Sequence, residues 1–239
     1  MINIIYVEKS VTDHPRSREI IDRFPRASLV EISHYGEIFN RNNQSFRIQK
    51  SNPALILAEK KNKKILPVPK GLEIGQPSYY FSHMLNCLYD CRYCFLQGMF
   101  KSANYVVFIN YEDFQKEIIQ IAEENNGRAF FFSGYDCDSL AMEPITSFAK
   151  SFLPVFEKIK LSTLELRTKS TQIRTLLERT PLDNVVCSFS LNPREIIERY
   201  EERTPTLESR IKSINKLVSA GWRIGLRFDP VIATKNFQA

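Results

Sequence analysis

The sequence predicts an α/β protein built on a parallel β-sheet that is either open or closed into a barrel. From residue 77 onward, short apolar segments alternate with amphipathic segments of helical period. Their spacing leaves room for one helix between each pair of strands, which is how right-handed crossovers join parallel strands. Polar residues follow each apolar segment, as ligand-binding residues do at the carboxyl ends of parallel strands.

The elements of this array follow one another in a regular order. Strands are predicted at SYYFSH (78–83), RAFFFSG (128–134), TLELRT (163–168), NVVCSFS (184–190) and WRIGLRFDP (222–230). Helices are predicted between them over 111–125, 143–158, 170–179, 193–201 and 206–220. The polar segments that follow the strands are expected on one rim: a cysteine cluster, SGYDCDS, RTKS, SFSLNP and RFDP.

A smaller α/β unit is predicted over residues 1–70, ahead of a barrel domain over 71–239. NIIYVE (3–8) and ASLVEI (27–32) are predicted strands, and the Arg-rich stretch after Thr12 is a predicted helix. Residues 40–51 are polar and basic, and the lysine run at 59–64 leads into LPVPKG. That run is predicted as a charged turn and linker, with a solvated hairpin tip favoured over a nucleic-acid contact.

Composition sets limits on the class of protein. Of 239 residues, 43% are hydrophobic and 25% are charged, which is typical of a globular protein. Thirty-three Lys and Arg against 27 Asp and Glu leave a net charge of +6, which permits a polyanionic partner without requiring one. The first residues are a short apolar run followed at once by charges, unlike a signal peptide or a membrane span. Free thiols and this start predict a cytoplasmic protein with no membrane partner.

Three of the five cysteines, Cys87, Cys91 and Cys94, lie within NCLYDCRYCFLQG at 86–98. A secreted disulfide-bonded protein would have more cysteines in a shorter chain, so these thiols are interpreted as metal ligands. Structural zinc usually takes four protein ligands from two spaced pairs, and no second pair of this kind occurs. Three thiolates on a [4Fe–4S] cluster leave one iron open to another ligand. The cluster is the favoured interpretation, with zinc or a chance spacing as the alternatives.

The C-x3-C-x2-C spacing, with an aromatic residue on each side of the third cysteine, resembles the signature of radical S-adenosylmethionine (AdoMet) enzymes. More of the chain, roughly residues 25–232, resembles the spore photoproduct lyase family of DNA-repair lyases. The segments that carry this resemblance are FNRNNQSFRIQKSNPALILAEKK, CRYCFLQ, DSLAMEPIT, LRTKS, SFSLNP, RYEERTPTLESRI and GLRFDPVI. The resemblance implies a partial (β/α) barrel, a [4Fe–4S] cluster, AdoMet and a 5′-deoxyadenosyl radical. It further implies hydrogen abstraction from a thymine dimer flipped out of DNA, followed by scission of the bond between the bases.

The resemblance also implies roles for individual residues. Cys87, Cys91 and Cys94 would hold the cluster, Lys169 and Ser190 would contact AdoMet, and Tyr93 would lie beside the cofactor. Lys169 suits the AdoMet carboxylate and Ser190 suits its ribose. Ser188 and Asn192 either line the same rim or cap the helix near Pro193, and the cap is favoured. Cys187, inside an apolar strand, is predicted to be core. Implied partners are damaged DNA and a reductant such as flavodoxin or ferredoxin, for a monomeric protein.

Two positions depart from the pattern of the family. The resemblance implies a relay in which a cysteine returns a hydrogen atom to the product radical, and a tyrosine after the third cluster cysteine passes the radical on. This chain has Phe95 at the tyrosine position. Cys137 falls two positions beyond the expected donor cysteine, where the chain has Tyr135. Cys137 and Tyr93 are the catalytic candidates, and Cys137 is expected to contact the cofactor rather than to donate hydrogen.

The end of the sequence and the substrate leave further alternatives. RFDPVIATKNFQA ends just after the fifth predicted strand, so the carboxyl-terminal part of the barrel is expected to be missing. A radical AdoMet enzyme that acts on another substrate is one alternative to the lesion lyase. A catalytically silent nucleic-acid-binding module that keeps the cluster for stability is the other.

Overall fold

The computed structural model describes residues 2–71 and 74–232. The strands are β1 (Ile4–Glu8), β2 (Ser28–Ile32), β3 (Leu55–Ala58), β4 (Ile65–Pro67), β5 (Ser78–Phe81), β6 (Met84–Leu85), β7 (Asp90–Cys91), β8 (Tyr105–Phe108), β9 (Phe130–Ser133), β10 (Thr163–Thr168), β11 (Val185–Ser190), β12 (Glu201–Glu202) and β13 (Arg223–Arg227). The α-helices are α1 (Pro15–Asp22), α2 (Phe46–Ser51), α3 (Leu96–Met99), α4 (Tyr111–Glu124), α5 (Glu143–Thr146), α6 (Phe148–Lys158), α7 (Arg174–Leu177), α8 (Arg194–Tyr200) and α9 (Leu207–Ser219). Short 3₁₀ helices lie at Lys9–Val11 and Tyr35–Glu37.

The larger sheet contains the parallel array that the sequence predicts. Its strand order is β13-β11-β10-β9-β5-β4, so strands that follow one another along the array are neighbours in the sheet. Every pair is parallel except β4 with β5, which is antiparallel and forms one edge. The predicted order of strands and helices is confirmed, and all the parallel strands direct their carboxyl ends to one rim.

The second sheet has the order β2-β1-β3-β8-β6. It contains β1 and β2 of the predicted small unit, paired in parallel with α1 between them. Strands β3 (LILA) and β8 (YVVF), whose residues are all buried, are additional to the predicted strands. A short run that is apolar throughout has no alternation to mark it as a strand. The predicted division at residue 70 does not coincide with the division between the sheets, because β8 belongs to this sheet and β4 to the larger one.

Phenylalanine rings fill the core between the larger sheet and the helices α4 and α6. Phe81 of β5 lies 5.6 Å from Phe152 of α6, centroid to centroid, and Phe152 lies 4.6 Å from Phe148. Helix α4 adds Tyr111 and Phe114 from one face, three residues apart, and both are fully buried. Such aromatic contacts add to the free energy gained from apolar burial and hold both helices against β5.

Three predicted segments differ from the structure. The single helix predicted over 143–158 is two helices, because Ser147 adopts the left-handed conformation with φ of 49°. The buried carboxylate of Glu143 accepts hydrogen bonds from the N–H groups of Ala149 and Lys150, so it satisfies the amino terminus of α6. The helix predicted over 170–179 is limited to α7, and the polar segment 40–51 contains the short helix α2.

The last part of the predicted barrel domain, residues 233–239, lies outside the described residues. Within 2–71 and 74–232, no helix is both long enough and apolar enough to cross a membrane.

Candidate active site

A cavity of about 400 Å³ opens at the carboxyl ends of the parallel strands. Its volume lies in the range of pockets that bind small molecules. All five polar segments predicted on one rim contribute to its lining. The sequence-predicted site residues that line it are Cys87, Cys91, Cys94, Tyr93, Cys137, Lys169 and Ser190. Residues separated by up to about a hundred positions in the chain therefore meet in one cavity, as the topology predicts.

The loop that carries the three cysteines is held at both ends. Asn86 precedes it in the left-handed conformation, φ 68°, and its Nδ2 donates to the carbonyl oxygens of Ser102 and Asn104. Cys91 lies on β7, which pairs antiparallel with β12. The N–H of Cys94 donates to the carbonyl oxygen of Cys91, which closes a turn between the last two thiols. The thiol positions are thus set by hydrogen bonds that involve backbone groups on both sides of the loop.

The three thiols share the cavity without converging on one point. Among the described residues, no three His, Cys, Asp or Glu side chains could hold a single metal ion. A [4Fe–4S] cluster binds each of its thiolates through a different iron, so it requires thiols that surround a volume. Burial raises the pKa of Cys91 to about 12, and the positive charge of Lys169 opposes that rise. The arrangement fits a cluster better than structural zinc.

Helix α2, which lies in a segment predicted only as polar and basic, supports the cysteine loop from the small unit. The side chain of Lys50 is buried, and its Nζ donates to the carbonyl oxygens of Cys87 and Tyr89 over 2.7 and 3.3 Å. Arg47, one turn earlier, forms an ion pair with the buried carboxylate of Asp90 at 3.2 Å. In the sequence, both residues belong to a basic segment that resembles a solvated surface. No local pattern distinguishes a buried lysine from an exposed one.

Asp138, which is not among the sequence-predicted site residues, joins the loop after β9 to the end of β10. Its Oδ1 accepts hydrogen bonds from the N–H groups of Leu140 and Ala141 and from the hydroxyl of Thr168. Its Oδ2 accepts from the N–H of Lys169 over 2.7 Å. An aspartate that bonds N–H groups two and three residues ahead is typical of a turn. Here the same carboxylate also fixes the backbone from which Lys169 enters the cavity.

A buried network connects Tyr93 to helix α9 and to the end of β11. The hydroxyl of Tyr93 donates to Glu201, and the Nδ2 of Asn192 donates to the same carboxylate over 2.9 Å. The other oxygen of Glu201 pairs with Arg210, and both side chains are fully buried. Arg210 also donates to the carbonyl oxygen of Ser190, a cavity residue, over 3.0 Å. The network therefore ties the cysteine loop to the end of β11.

The ionic state of Glu201 follows from its surroundings. Burial by itself raises the pKa of this carboxyl, but the hydrogen bond from Tyr93 and the charge of Arg210 outweigh burial, and the pKa lies below its usual value. Burial and the bond to Glu201 raise the pKa of Tyr93 above its usual value. At neutral pH the carboxylate is charged and the phenol of Tyr93 keeps its proton.

The predicted helix cap near Pro193 is wrong. Pro193 itself is the cap residue of α8, and no side chain caps that helix. Asn192 bonds Glu201 instead. Ser188 is buried in β11 with its hydroxyl facing Gly225 of the neighbouring strand, and it is not among the described residues that line the cavity. Cys187 is fully buried in the main core, which confirms the prediction for that residue.

The residues at which the sequence departs from the family pattern all line the cavity. Cys137 is buried, and its Sγ lies 3.8 Å from Nδ1 of His83. Phe95 and Tyr135 are 55% and 48% exposed and lie at the mouth, with ring centroids 5.8 Å apart. The ring of Tyr135 also lies 4.5 Å from that of Tyr80. The cavity thus has a buried thiol inside and an aromatic group at its entrance.

The sequence as a whole matches one family model, that of spore photoproduct lyase, over residues 1–239. The chain belongs to the spore photoproduct lyase family. A relative from Clostridium acetobutylicum named spore photoproduct lyase is 25% identical over 245 residues, which cover 100% of this chain and 71% of that protein. The Bacillus subtilis protein of the same name is 24% identical over 248 residues, covering 98% of this chain and 69% of that protein.

Solved structures of spore photoproduct lyase have the same fold. A double mutant described as having bound AdoMet and dinucleoside spore photoproduct matches with a TM-score of 0.87 at 18% identity, covering 99% of this chain and 70% of that one. A complex described as containing the dinucleoside spore photoproduct matches with a TM-score of 0.86 at 19% identity, with the same coverage. The predicted family and partial barrel are confirmed, and membership in this family confirms the predicted class of enzyme, a radical AdoMet lyase.

Proposed function

We propose that this spore photoproduct lyase family member binds a [4Fe–4S] cluster and AdoMet in the cavity and repairs a thymine dimer lesion in DNA. The observation that carries the proposal is the composition of that cavity. The three cysteines of the loop share one space at the carboxyl ends of the parallel strands with Lys169, Ser190 and an aromatic entrance. The names of the matched structures, which mention bound AdoMet and a dinucleoside spore photoproduct, support the same ligands here.

Cys87, Cys91 and Cys94 would hold the cluster, and Lys50 would stabilise the loop behind it. Lys169 carries a positive charge at the cavity wall, and its Nζ lies 5.7 Å from the ring centroid of Tyr93. An ammonium group at this point suits the carboxylate of AdoMet. The cluster, once reduced, would supply the electron that splits AdoMet and yields the 5′-deoxyadenosyl radical.

Other cavity residues would position the reactants and exclude water. Tyr93 keeps its proton and is fixed by Glu201, so it would form one rigid wall beside the cofactor. Cys137 is buried against His83 and would contact the cofactor. Phe95 and Tyr135 offer exposed rings at the mouth, where a base extruded from the duplex could stack. The half-buried Arg167 at the same mouth supplies positive charge for the DNA backbone.

Anaerobic reconstitution with iron and sulfide tests the proposal. The protein should bind about four irons, turn brown, and cleave AdoMet to 5′-deoxyadenosine when dithionite is added. It should then break the bond between the two bases of the dinucleoside spore photoproduct and release two thymidines, which are the repaired product. Replacing Cys87, Cys91 or Cys94 singly by Ala should abolish the visible absorbance of the cluster. Full iron content in any of these three variants would contradict the ligand assignment.

Two alternatives predict different results in the same experiment. A radical enzyme with another substrate would produce 5′-deoxyadenosine but leave the dinucleoside unchanged. A silent binding module would bind DNA and never cleave AdoMet. We further propose that the protein works as a cytoplasmic monomer with a flavodoxin or ferredoxin as reductant. Its five cysteines are all free, as in a reducing compartment.

A further inference from the structure

We infer that Tyr135 is the hydrogen-atom donor that quenches the substrate radical in this protein. The inference rests on the proposed function, because scission of the bond between the bases leaves a carbon radical on one of them. That radical becomes a stable product only if it receives a hydrogen atom. The donor must have a weak X–H bond, must line the cavity and must face the open part where the lesion enters.

The cavity offers few groups of this kind besides the three cysteines of the cluster loop. Among the described lining residues they are Cys137, Tyr89, Tyr93 and Tyr135. Tyr93 uses its hydroxyl proton in the bond to Glu201. Tyr89 is buried, and its hydroxyl interacts with Ser170. Both hydroxyl groups therefore already interact with other side chains of the protein.

Cys137 and Tyr135 differ in the direction from which a substrate can reach them. Cys137 is 8% exposed, and its thiol lies against His83 in the interior. Tyr135 is 48% exposed and lies at the mouth beside Phe95. No described residue accepts a hydrogen bond from the Tyr135 hydroxyl. Its O–H is therefore available to a substrate that enters the cavity, whereas the thiol of Cys137 lies at the interior wall beside His83.

The neighbouring ring supplies a second phenol for the next step. Tyr80 packs against Tyr135 with ring centroids 4.5 Å apart. Burial, together with the nearby phenol of Tyr135 and the carboxylate of Asp136, raises the pKa of Tyr80, so its hydroxyl keeps its proton at neutral pH. Both members of the pair thus start as neutral phenols that hold a hydrogen atom.

Each substrate molecule takes one hydrogen atom from the tyrosine pair. The O–H bond of Tyr135 breaks homolytically, a C–H bond forms on the substrate carbon, and a neutral phenoxyl radical is left on Tyr135. Tyr80 gives its hydroxyl hydrogen atom to that oxygen and becomes the phenoxyl. One electron from the low-potential reductant that also reduces the cluster, with one proton from water, restores the phenol of Tyr80.

The test compares Tyr135→Phe with Cys137→Ala in the reconstituted full chain, using the dinucleoside spore photoproduct. Phenylalanine keeps the ring for stacking and removes only the hydroxyl. Tyr135→Phe should still form 5′-deoxyadenosine but lose the repaired dinucleoside in favour of adducts of the unquenched radical. Cys137→Ala, whose AdoMet affinity should change, should still give the repaired product rather than adducts from each AdoMet that it cleaves. Tyr135→Cys, which installs a thiol at the same position, should restore repair.

Two further measurements separate a chemical function of Tyr135 from a structural one. The cluster-free wild-type and Tyr135→Phe proteins should bind the dinucleoside with equal affinity. Tyr80→Phe should repair in a single turnover but accumulate a tyrosyl radical in freeze-quenched EPR spectra, with a signal narrowed by ring-deuterated tyrosine. Weaker binding by Tyr135→Phe, or absence of that signal, would overturn the donor assignment.

The outcomes distinguish the donor assignment from the proposed function. If the wild type repairs the dinucleoside and Tyr135→Phe repairs it equally well, the donor assignment is wrong and the proposed function stands. If the wild type forms 5′-deoxyadenosine but never repairs the dinucleoside, the proposed substrate is wrong and the donor assignment fails with it. Adducts from Cys137→Ala with normal product from Tyr135→Phe would transfer the donor function to Cys137.

Discussion

Lys50 donates a hydrogen bond from its buried ammonium group to the carbonyl oxygen of Cys87, 2.7 Å away. The first residue belongs to a short helix of the small unit, and the second is a proposed cluster ligand. Burial lowers the pKa of Lys50, and its second bond, to Tyr89, holds the same loop. The position of the thiols therefore depends on a residue that bonds the backbone of the loop and not the sulfur atoms.

Lys50→Met should destabilise the cysteine loop and weaken retention of iron. Two buried carbonyl groups lose their donor, and this should lower the free energy of unfolding by about 1–3 kcal/mol. Urea unfolding of the cluster-free protein measures the first effect, and iron content after gel filtration measures the second. Lys158→Met, at an exposed position on α6, is the matched control and should change neither. Equal iron content in wild type and Lys50→Met would contradict the expectation.

Lys169→Met should weaken AdoMet binding by about 1–3 kcal/mol, which is the scale of a lost charge-assisted contact. The cluster should stay intact, because Lys169 is not a thiol ligand. Isothermal titration with AdoMet measures the affinity, and visible absorbance reports the cluster. Lys158→Met serves again as the control for a lost surface charge. An unchanged AdoMet affinity would mean that the ammonium group faces solvent.

Asp138→Asn should reduce AdoMet affinity through Lys169 rather than by direct contact. The amide oxygen can still accept the bonds from Leu140 and Ala141, but an NH₂ group cannot accept the bond from the Lys169 backbone. We expect a loss of about 1–3 kcal/mol in binding. In the double variant with Lys169→Met the losses should be less than additive, because both act on one contact. Strict additivity would show that Asp138 acts elsewhere.

Glu201 should make stability depend on pH in a defined direction. Its pKa in the folded protein lies below the usual value, which is about 4.3 in an unfolded chain. Its contribution is therefore fully present above about pH 4.3 and is lost as the pH falls through the folded pKa. Glu201→Gln should cost about 3 kcal/mol at pH 7, because Arg210 is left buried without its ion partner.

The measurement is urea unfolding of the cluster-free protein at pH 7 and at pH 4. The difference in stability between wild type and Glu201→Gln should shrink at the lower pH. Glu202→Gln is the matched control, because the adjacent glutamate is exposed in its pair with Arg92 and should change stability by less than about 1 kcal/mol. A stability difference that is equal at both pH values would rule out an ionised Glu201 as the cause.

Cys137→Ala should alter AdoMet affinity and leave the distribution of repair products unchanged. The thiol is buried against His83 and lines the interior of the cavity. Removing one sulfur atom should change the dissociation constant within about tenfold, or about 1.4 kcal/mol. Chromatography of products and titration with AdoMet are the two readouts. A clean change from repaired dinucleoside to trapped adduct would prove Cys137 to be the donor.

The sequence alone determined the parallel array and the position of the cysteine loop on its rim. Both depend on local signals: the alternation of apolar strands with amphipathic helices, and three thiols within eight residues. Because parallel strands end at one edge, the strand order was enough to bring Cys87 and Lys169 into the same cavity. The resemblance to the family then supplied the AdoMet chemistry, which neither the periodicity of apolar residues nor the spacing of the cysteines contains.

Only the tertiary structure decided what surrounds those residues. Lys50, Asp138 and Glu201 are ordinary charged residues in sequence, and their functions follow from partners that lie 37, 31 and 108 positions away. The spacing of apolar residues, every two positions in a strand or every 3.6 in a helix, carries no information on such long-range pairs. The choice between Tyr135 and Cys137 has the same origin. The two residues are only two positions apart in sequence. The ring of Tyr135 nevertheless lies at the mouth and the thiol of Cys137 lies inside, because the turn after β9 directs the two side chains differently.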